Sequence, residues 1–92
     1  MAQKILVADD SRATRFMLKQ TLMEWGYEVI DVPDGESAWG YFEKKEFPSI
    51  ALFDWMMPGI SGIDLCKKIK ETKTASYKYI ILLTGKSGMQ DI

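Results

Sequence analysis

Apolar positions fall into short blocks of two kinds that alternate along the chain. The run Ile5-Leu6-Val7-Ala8, rich in branched residues and cut off by Asp9-Asp10, predicts a strand over 4–8 that is buried on both faces. Ser11 can then cap a helix over about 12–25, in which Ala13, Phe16, Met17, Leu18, Leu22 and Trp25 recur at three- and four-residue spacings before Gly26 stops it. Residues 27–32 alternate as a half-exposed strand does, and Pro33-Asp34-Gly35 marks a turn. Ala38, Trp39, Tyr41 and Phe42 place a second helix over 36–46, closed by Phe47-Pro48 because the residue before proline avoids the α region.

A second continuous run, Ile50-Ala51-Leu52-Phe53, predicts a buried strand over 49–53, and it again ends in an acid, Asp54. After the Met56-Met57-Pro58-Gly59 loop, Ser61 or Gly62 opens a helix to about residue 70, with Ile63, Cys66 and Ile69 inward and Lys67, Lys68 and Lys70 outward. Residues 79–83 form a further strand of buried type, ended by Thr84-Gly85. Strands that alternate with helices imply parallel strands joined by right-handed crossovers, hence an α/β fold with a doubly wound parallel sheet.

Composition narrows the class. A chain of 92 residues is expected to form one domain over 1–92, with no room for a second catalytic or DNA-binding unit. Twelve basic and thirteen acidic residues leave a net charge of −1, so no direct nucleic-acid partner is expected. The absence of histidine excludes the usual zinc sites and all histidine-dependent catalysis by this chain, and the single Cys66 cannot form an internal disulfide, which fits a reducing cytoplasm. Neither a signal peptide nor a membrane span is expected, since the first apolar run is far too short for either.

Ligands of doubly wound sheets collect at the carboxyl ends of the strands. Those ends carry Asp9-Asp10, Asp54 and Thr84. Three carboxylates brought together repel one another unless a divalent cation compensates them, and an oxygen-only donor set suits Mg²⁺. Taken singly, the acids read more plainly as helix caps or turn residues. In combination they point to a site.

These residues carry a resemblance. Asp9-Asp10 after the first strand, Asp54 with the following Trp55-Met56-Met57-Pro58-Gly59-Ile60-Ser61-Gly62 after the third, and Thr84 after the fourth are similar to the receiver domain of two-component response regulators, over essentially the whole chain. The resemblance implies a flavodoxin-like sheet of about four strands and three helices. It implies a phosphoacceptor module rather than an enzyme, with Asp54 taking a phosphoryl group from a sensor histidine kinase or phosphotransfer protein. It also implies that Asp9, Asp10, Asp54 and the backbone carbonyl of Met56 hold Mg²⁺, and that the Thr84 hydroxyl contacts the phosphoryl group and relays the switch.

Receiver domains continue past this threonine into a fourth helix, a lysine-bearing fifth strand and a fifth helix, whereas the sequence stops at Ile92. Lys86 lies too close to Thr84 to be that lysine, so retained acceptor chemistry with impaired switching is the expectation. The fourth strand is expected to become a bare apolar edge beside uncovered sheet faces, favouring a homo-oligomer, most simply a dimer. Residues 85–92 are expected to fray without a partner. The alternative function is a phosphorylation-independent interaction or oligomerisation module. A phosphohydrolase using Asp54 ranks below both, because such enzymes place a second acid where Met56 stands. Gly85-Lys86-Ser87 does not make a phosphate-binding P-loop, which would need glycine in place of Ile80. The loop methionines, Cys66 and the lysines at 67, 68, 70 and 73 read as core cover, inert packing and a solvated face.

Overall fold

A computed structural model describes residues 3–72 and 78–83. Its elements follow the order β1 (Lys4–Ala8), α1 (Arg12–Glu24), β2 (Glu28–Val32), α2 (Gly35–Glu43), β3 (Ile50–Asp54), α3 (Gly62–Glu71) and β4 (Tyr79–Leu83). All strand pairs are parallel and the sheet order is β2-β1-β3-β4, as expected of a doubly wound fold.

The two-residue alternation of β1 divides the core. Leu6 and Ala8 face a cluster with Ala38 of α2, Phe53 of β3, and Leu65 and Ile69 of α3, while Ile5 and Val7 join Leu22 of α1 on the other face. Four of the five β1 residues are buried, in agreement with a central strand covered on both sides. Phe42, Phe47 and Phe53 continue this packing as successive edge-on ring contacts, with centroids 5.6 and 6.1 Å apart.

Local chemistry sets most boundaries. The Ser11 hydroxyl accepts from the Thr14 N–H at 3.2 Å and caps α1. Gly26 adopts φ +96 just past the helix, where its N–H donates to the Met23 carbonyl and Tyr27 N–H donates to that of Leu22. Helix α2 corrects the sequence expectation at both ends. It starts at Gly35 and ends at Glu43 instead of Glu46, because Lys45 takes the left-handed conformation (φ 61) and turns the chain before Pro48 is reached.

Two other expectations are corrected. On α3 the fully inward side chains are Leu65 and Ile69, with Ile63 and Cys66 only half buried, so the buried stripe lies one residue from the position read for Cys66. Strand β4 is not of buried type: it is the outermost strand among the described residues, with Tyr79 62% and Ile81 51% exposed. Continuous apolar character has the same appearance in a central and an outer strand, and only the sheet order separates them. The expectation for residues 85–92 lies outside the described residues.

Asp34 gives α2 a cap that responds to pH. Its Oδ1 accepts from the Ser37 N–H at 2.8 Å. That backbone bond, and then the Ser37 side chain, hold the carboxyl below its ordinary 3.8, against a small opposing effect of burial. A lowered folded-state value means that the stabilisation is present above about pH 4 and is lost as pH falls through the folded value. Asp34→Ala is expected to cost about 1 kcal/mol at neutral pH, read as a melting temperature lower by roughly 4–8 °C. In urea titrations from pH 6 to pH 3, the gap from wild type should narrow at the acid end; a gap independent of pH would contradict the charged cap.

Candidate functional site

The order β2-β1-β3-β4 places the reversal of strand order between β1 and β3, where a crevice opens beyond the strand ends. Register aligns Ala8 with Phe53, so the chain leaves both strands at one level with Asp9 and Asp54 side by side. One carboxylate oxygen from each of Asp9, Asp10 and Asp54 lies within 4.8 Å of the other two. The structure thus brings together the three acids expected from sequence. Asp9 and Asp54 are 4% and 2% exposed, whereas Asp10 is exposed, so the cluster has a buried floor and a solvent-facing rim.

Backbone bonds fix this floor. The Asp9 N–H donates to the Val32 carbonyl at 3.2 Å, tying the exit of β1 to β2. Its Oδ1 accepts from the Ser11 N–H at 2.8 Å, so the residue that caps α1 also orients the acid. On the β3 side, Trp55 N–H donates to the Leu83 carbonyl at 2.9 Å and Gly62 N–H donates to the Trp55 carbonyl at 2.9 Å, folding the 55–61 loop back over the strand end. Gly62 is required there by space: a Cβ would overlap the Asp54 carbonyl oxygen and stand 3.2 Å from Trp55 Cα. Gly59 turns the same loop at φ +78.

Met56 follows with an exposed side chain, 73% accessible, and Met57 is buried in the core. The sequence reading of both methionines as core cover therefore holds for Met57 alone. Thr84 and Lys86 lie outside the described residues. Sequence reasoning named Gly62 only within the loop motif and as a helix start, and it passed over Arg15. The Arg15 Nη1 donates to the Asp9 carbonyl at 2.8 Å. The available signal was its spacing, four residues after the cap Ser11 and so one helical turn along, where a long side chain leans back toward the helix start.

The donor set fits a hard divalent cation. It is all oxygen, gathers three carboxylates whose ligand atoms lie within 4.8 Å of one another, and keeps one acid open to water, which suits an ion that retains several waters, as Mg²⁺ does. Two buried carboxylates and a third beside them repel one another, and a bound divalent cation would offset that repulsion.

Residues 5–92 match the family model described as response regulator receiver domain. The chain is 33% identical over 90 residues to a chemotaxis protein CheY homolog of Campylobacter jejuni, covering 97% of this chain and 69% of that protein. Among solved structures it superposes on the chemotaxis response regulator CheY4 of Vibrio cholerae with a TM-score of 0.82 and 27% identity, covering 98% of this chain and 76% of that one. A chain in the crystal structure of histidine kinase ThkA in complex with response regulator protein TrrA matches at 37% identity and a TM-score of 0.79, over 90% of this chain and 69% of that one.

Proposed function

The chain belongs to the response regulator receiver domain family, the phosphoacceptor signalling module of two-component systems, and from that premise we propose that Asp54 is its phosphoacceptor. The observation that supports this most directly is the buried Asp54 carboxylate held within 4.8 Å of Asp9 and Asp10 at the switch point of the sheet. A phosphohistidine on a sensor kinase or phosphotransfer protein supplies the group, in keeping with the kinase complex of the similar regulator TrrA. An Asp54 oxygen forms the new bond to phosphorus as the phosphorus–nitrogen bond breaks, and the departing imidazole nitrogen keeps the electron pair and takes up a proton.

Asp9, Asp10, Asp54 and the Met56 carbonyl would hold Mg²⁺, which when bound offsets the charge on the transferred group. The protein's own part is positioning. Strand β3 and the loop closed at Gly62 fix the nucleophile, and the Ser11 N–H fixes Asp9. Thr84 is the proposed phosphoryl contact and switch residue. Residues 1–92 act as one receiver-like signalling domain, placed in the cytoplasm where the proposed kinase donates its phosphoryl group. Among the described residues no helix is long and apolar enough to cross a membrane.

The test is incubation with a small phosphodonor such as acetyl phosphate. One phosphoryl group per chain, stable in acid and labile in base, is expected with Mg²⁺ and not with EDTA. Wild type that gains no group under either condition overturns the reading.

A second property, self-association, is favoured by β4. Tyr79 N–H donates to the Ser49 carbonyl and the Leu83 carbonyl accepts from Trp55, so by the two-residue alternation Ile80 and Leu82 direct their N–H and C=O groups away from β3. The strand Tyr-Ile-Ile-Leu-Leu has neither the charge nor the proline that ordinarily guards an edge. A second copy of the same strand, antiparallel across a two-fold axis, can pair Ile80 with Leu82 in both directions. Sedimentation velocity at tens of micromolar is expected to show a dimer that Ile81→Lys dissolves; a stable wild-type monomer refutes it.

A further inference from the structure

We propose that Arg15 is a positioning residue for the acidic pair, setting the affinity of the Asp9, Asp10 and Asp54 cluster for Mg²⁺ through the main chain of Asp9. The proposal rests on the reading of that cluster as the cation site.

Arg15 sits one turn into α1 with its side chain only 17% exposed. Its two ends do different work. Nη1 donates to the Asp9 carbonyl oxygen at 2.8 Å, while Nε faces Asp31 Oδ2 on β2 at 3.4 Å. Asp31 in turn holds Lys19 Nζ at 3.5 Å through its other oxygen, so the carboxylate is spanned by two cations of α1 and anchors the guanidinium between helix and sheet. A planar, forked, permanently charged group can make both contacts at once.

The consequence falls on Asp10. Asp9 is already held at its N–H by Val32 and at Oδ1 by the Ser11 N–H. Asp10 is exposed, and among the described residues its side chain makes no hydrogen bond. The Asp9 carbonyl and the Asp10 N–H share one rigid peptide plane, so a bond that fixes the carbonyl fixes the direction in which Asp10 leaves β1. Arg15 thereby aims a side chain that it does not touch.

This role carries a sign that separates it from the two plainer ones. A merely electrostatic Arg15 weakens Mg²⁺ binding by its positive charge, so its removal would tighten binding. A merely structural Arg15 changes the stability of the fold and leaves the affinity of the folded molecules where it was. A positioning Arg15 strengthens binding, and its loss weakens it, by about tenfold on the scale of partners that orient metal ligands.

The experiment is a Mg²⁺ titration of the full chain followed by the amide NMR shifts of Asp10 and Trp55, on wild type, Arg15→Met and Arg15→Lys, with thermal unfolding in EDTA alongside. Arg15→Met is expected to raise the dissociation constant about tenfold, and Arg15→Lys, which keeps the charge but loses the fork, about threefold or more. Should Arg15→Met fail to fold, Arg15→Lys carries the comparison. Unchanged or tighter binding in the folded variants overturns the positioning role alone. A wild type whose shifts do not respond to Mg²⁺ overturns it together with the cation site.

Discussion

Asp54→Ala is expected to abolish phosphoryl uptake and, in the absence of Mg²⁺, to make the protein more stable. The first effect follows from chemistry: the nucleophilic oxygen is gone, and Asp9 and Asp10 follow another strand, β1, whose exit is fixed by Val32 and Ser11. Intact-protein mass spectrometry after exposure to acetyl phosphate should show no adduct that is stable in acid and labile in base. The second effect follows from electrostatics. A 2% exposed carboxylate is held within 4.8 Å of two others, and unit charges at that distance repel by about 3 kcal/mol per pair at an effective dielectric constant near 20, so that after the side chain's own lost contacts a net gain of about 1 kcal/mol is expected. Melting in EDTA should therefore rise by roughly 4–8 °C. A turn residue or cap would behave in the opposite way, because its loss leaves backbone groups unsatisfied. Retained adduct, or a lower melting point in EDTA, would count against Asp54 as the site carboxylate. Sites commonly give up stability for function in this manner.

Gly62→Ala is expected to have the largest effect on folding of any single methyl group added to this chain's described glycines. The new Cβ would overlap the Asp54 carbonyl oxygen and lie 3.0 Å from the Asp54 carbonyl carbon. These are backbone atoms of a central strand, so no side chain can rotate away. Overpacking of this kind costs about 3 kcal/mol or more, read as a melting temperature lower by roughly 12–24 °C. Gly40, where a Cβ would meet nothing within 4 Å, serves as the control: Gly40→Ala in the interior of α2 should stabilise slightly. Comparable melting of the two variants in differential scanning calorimetry would show that the 55–61 loop yields more easily than its packing implies.

Both effects depend on a strand end whose character was legible in the sequence. The runs at Ile5–Ala8 and Ile50–Phe53 announced buried strands, and their abrupt endings in acid announced where chemistry would gather. Ser11 and Ser61 were legible as caps because capping is settled within three residues. The end of α2 was misread because Pro48 is a strong stop signal and Lys45 gives none, although a left-handed lysine ended the helix first. The inward face of α3 was misplaced because Ile63, Leu65, Cys66 and Ile69 offer two overlapping apolar stripes, and the choice of Leu65 with Ile69 rests on the shape of the core above Phe53.

By itself the sequence determined which segments become strands and helices, their order, the parallel class of the sheet and the chemical identity of the site acids. These follow from hydrophobic period, branching and caps, which are interactions among residues a few positions apart. The tertiary structure alone decided which side chains of β4 stay exposed, that Gly62 has no room for a methyl group, and that Arg15 reaches the Asp9 carbonyl while anchored on Asp31. Each of these depends on which strands lie side by side. That adjacency is fixed by the burial of two opposite sheet faces at once, a condition no local window of sequence contains.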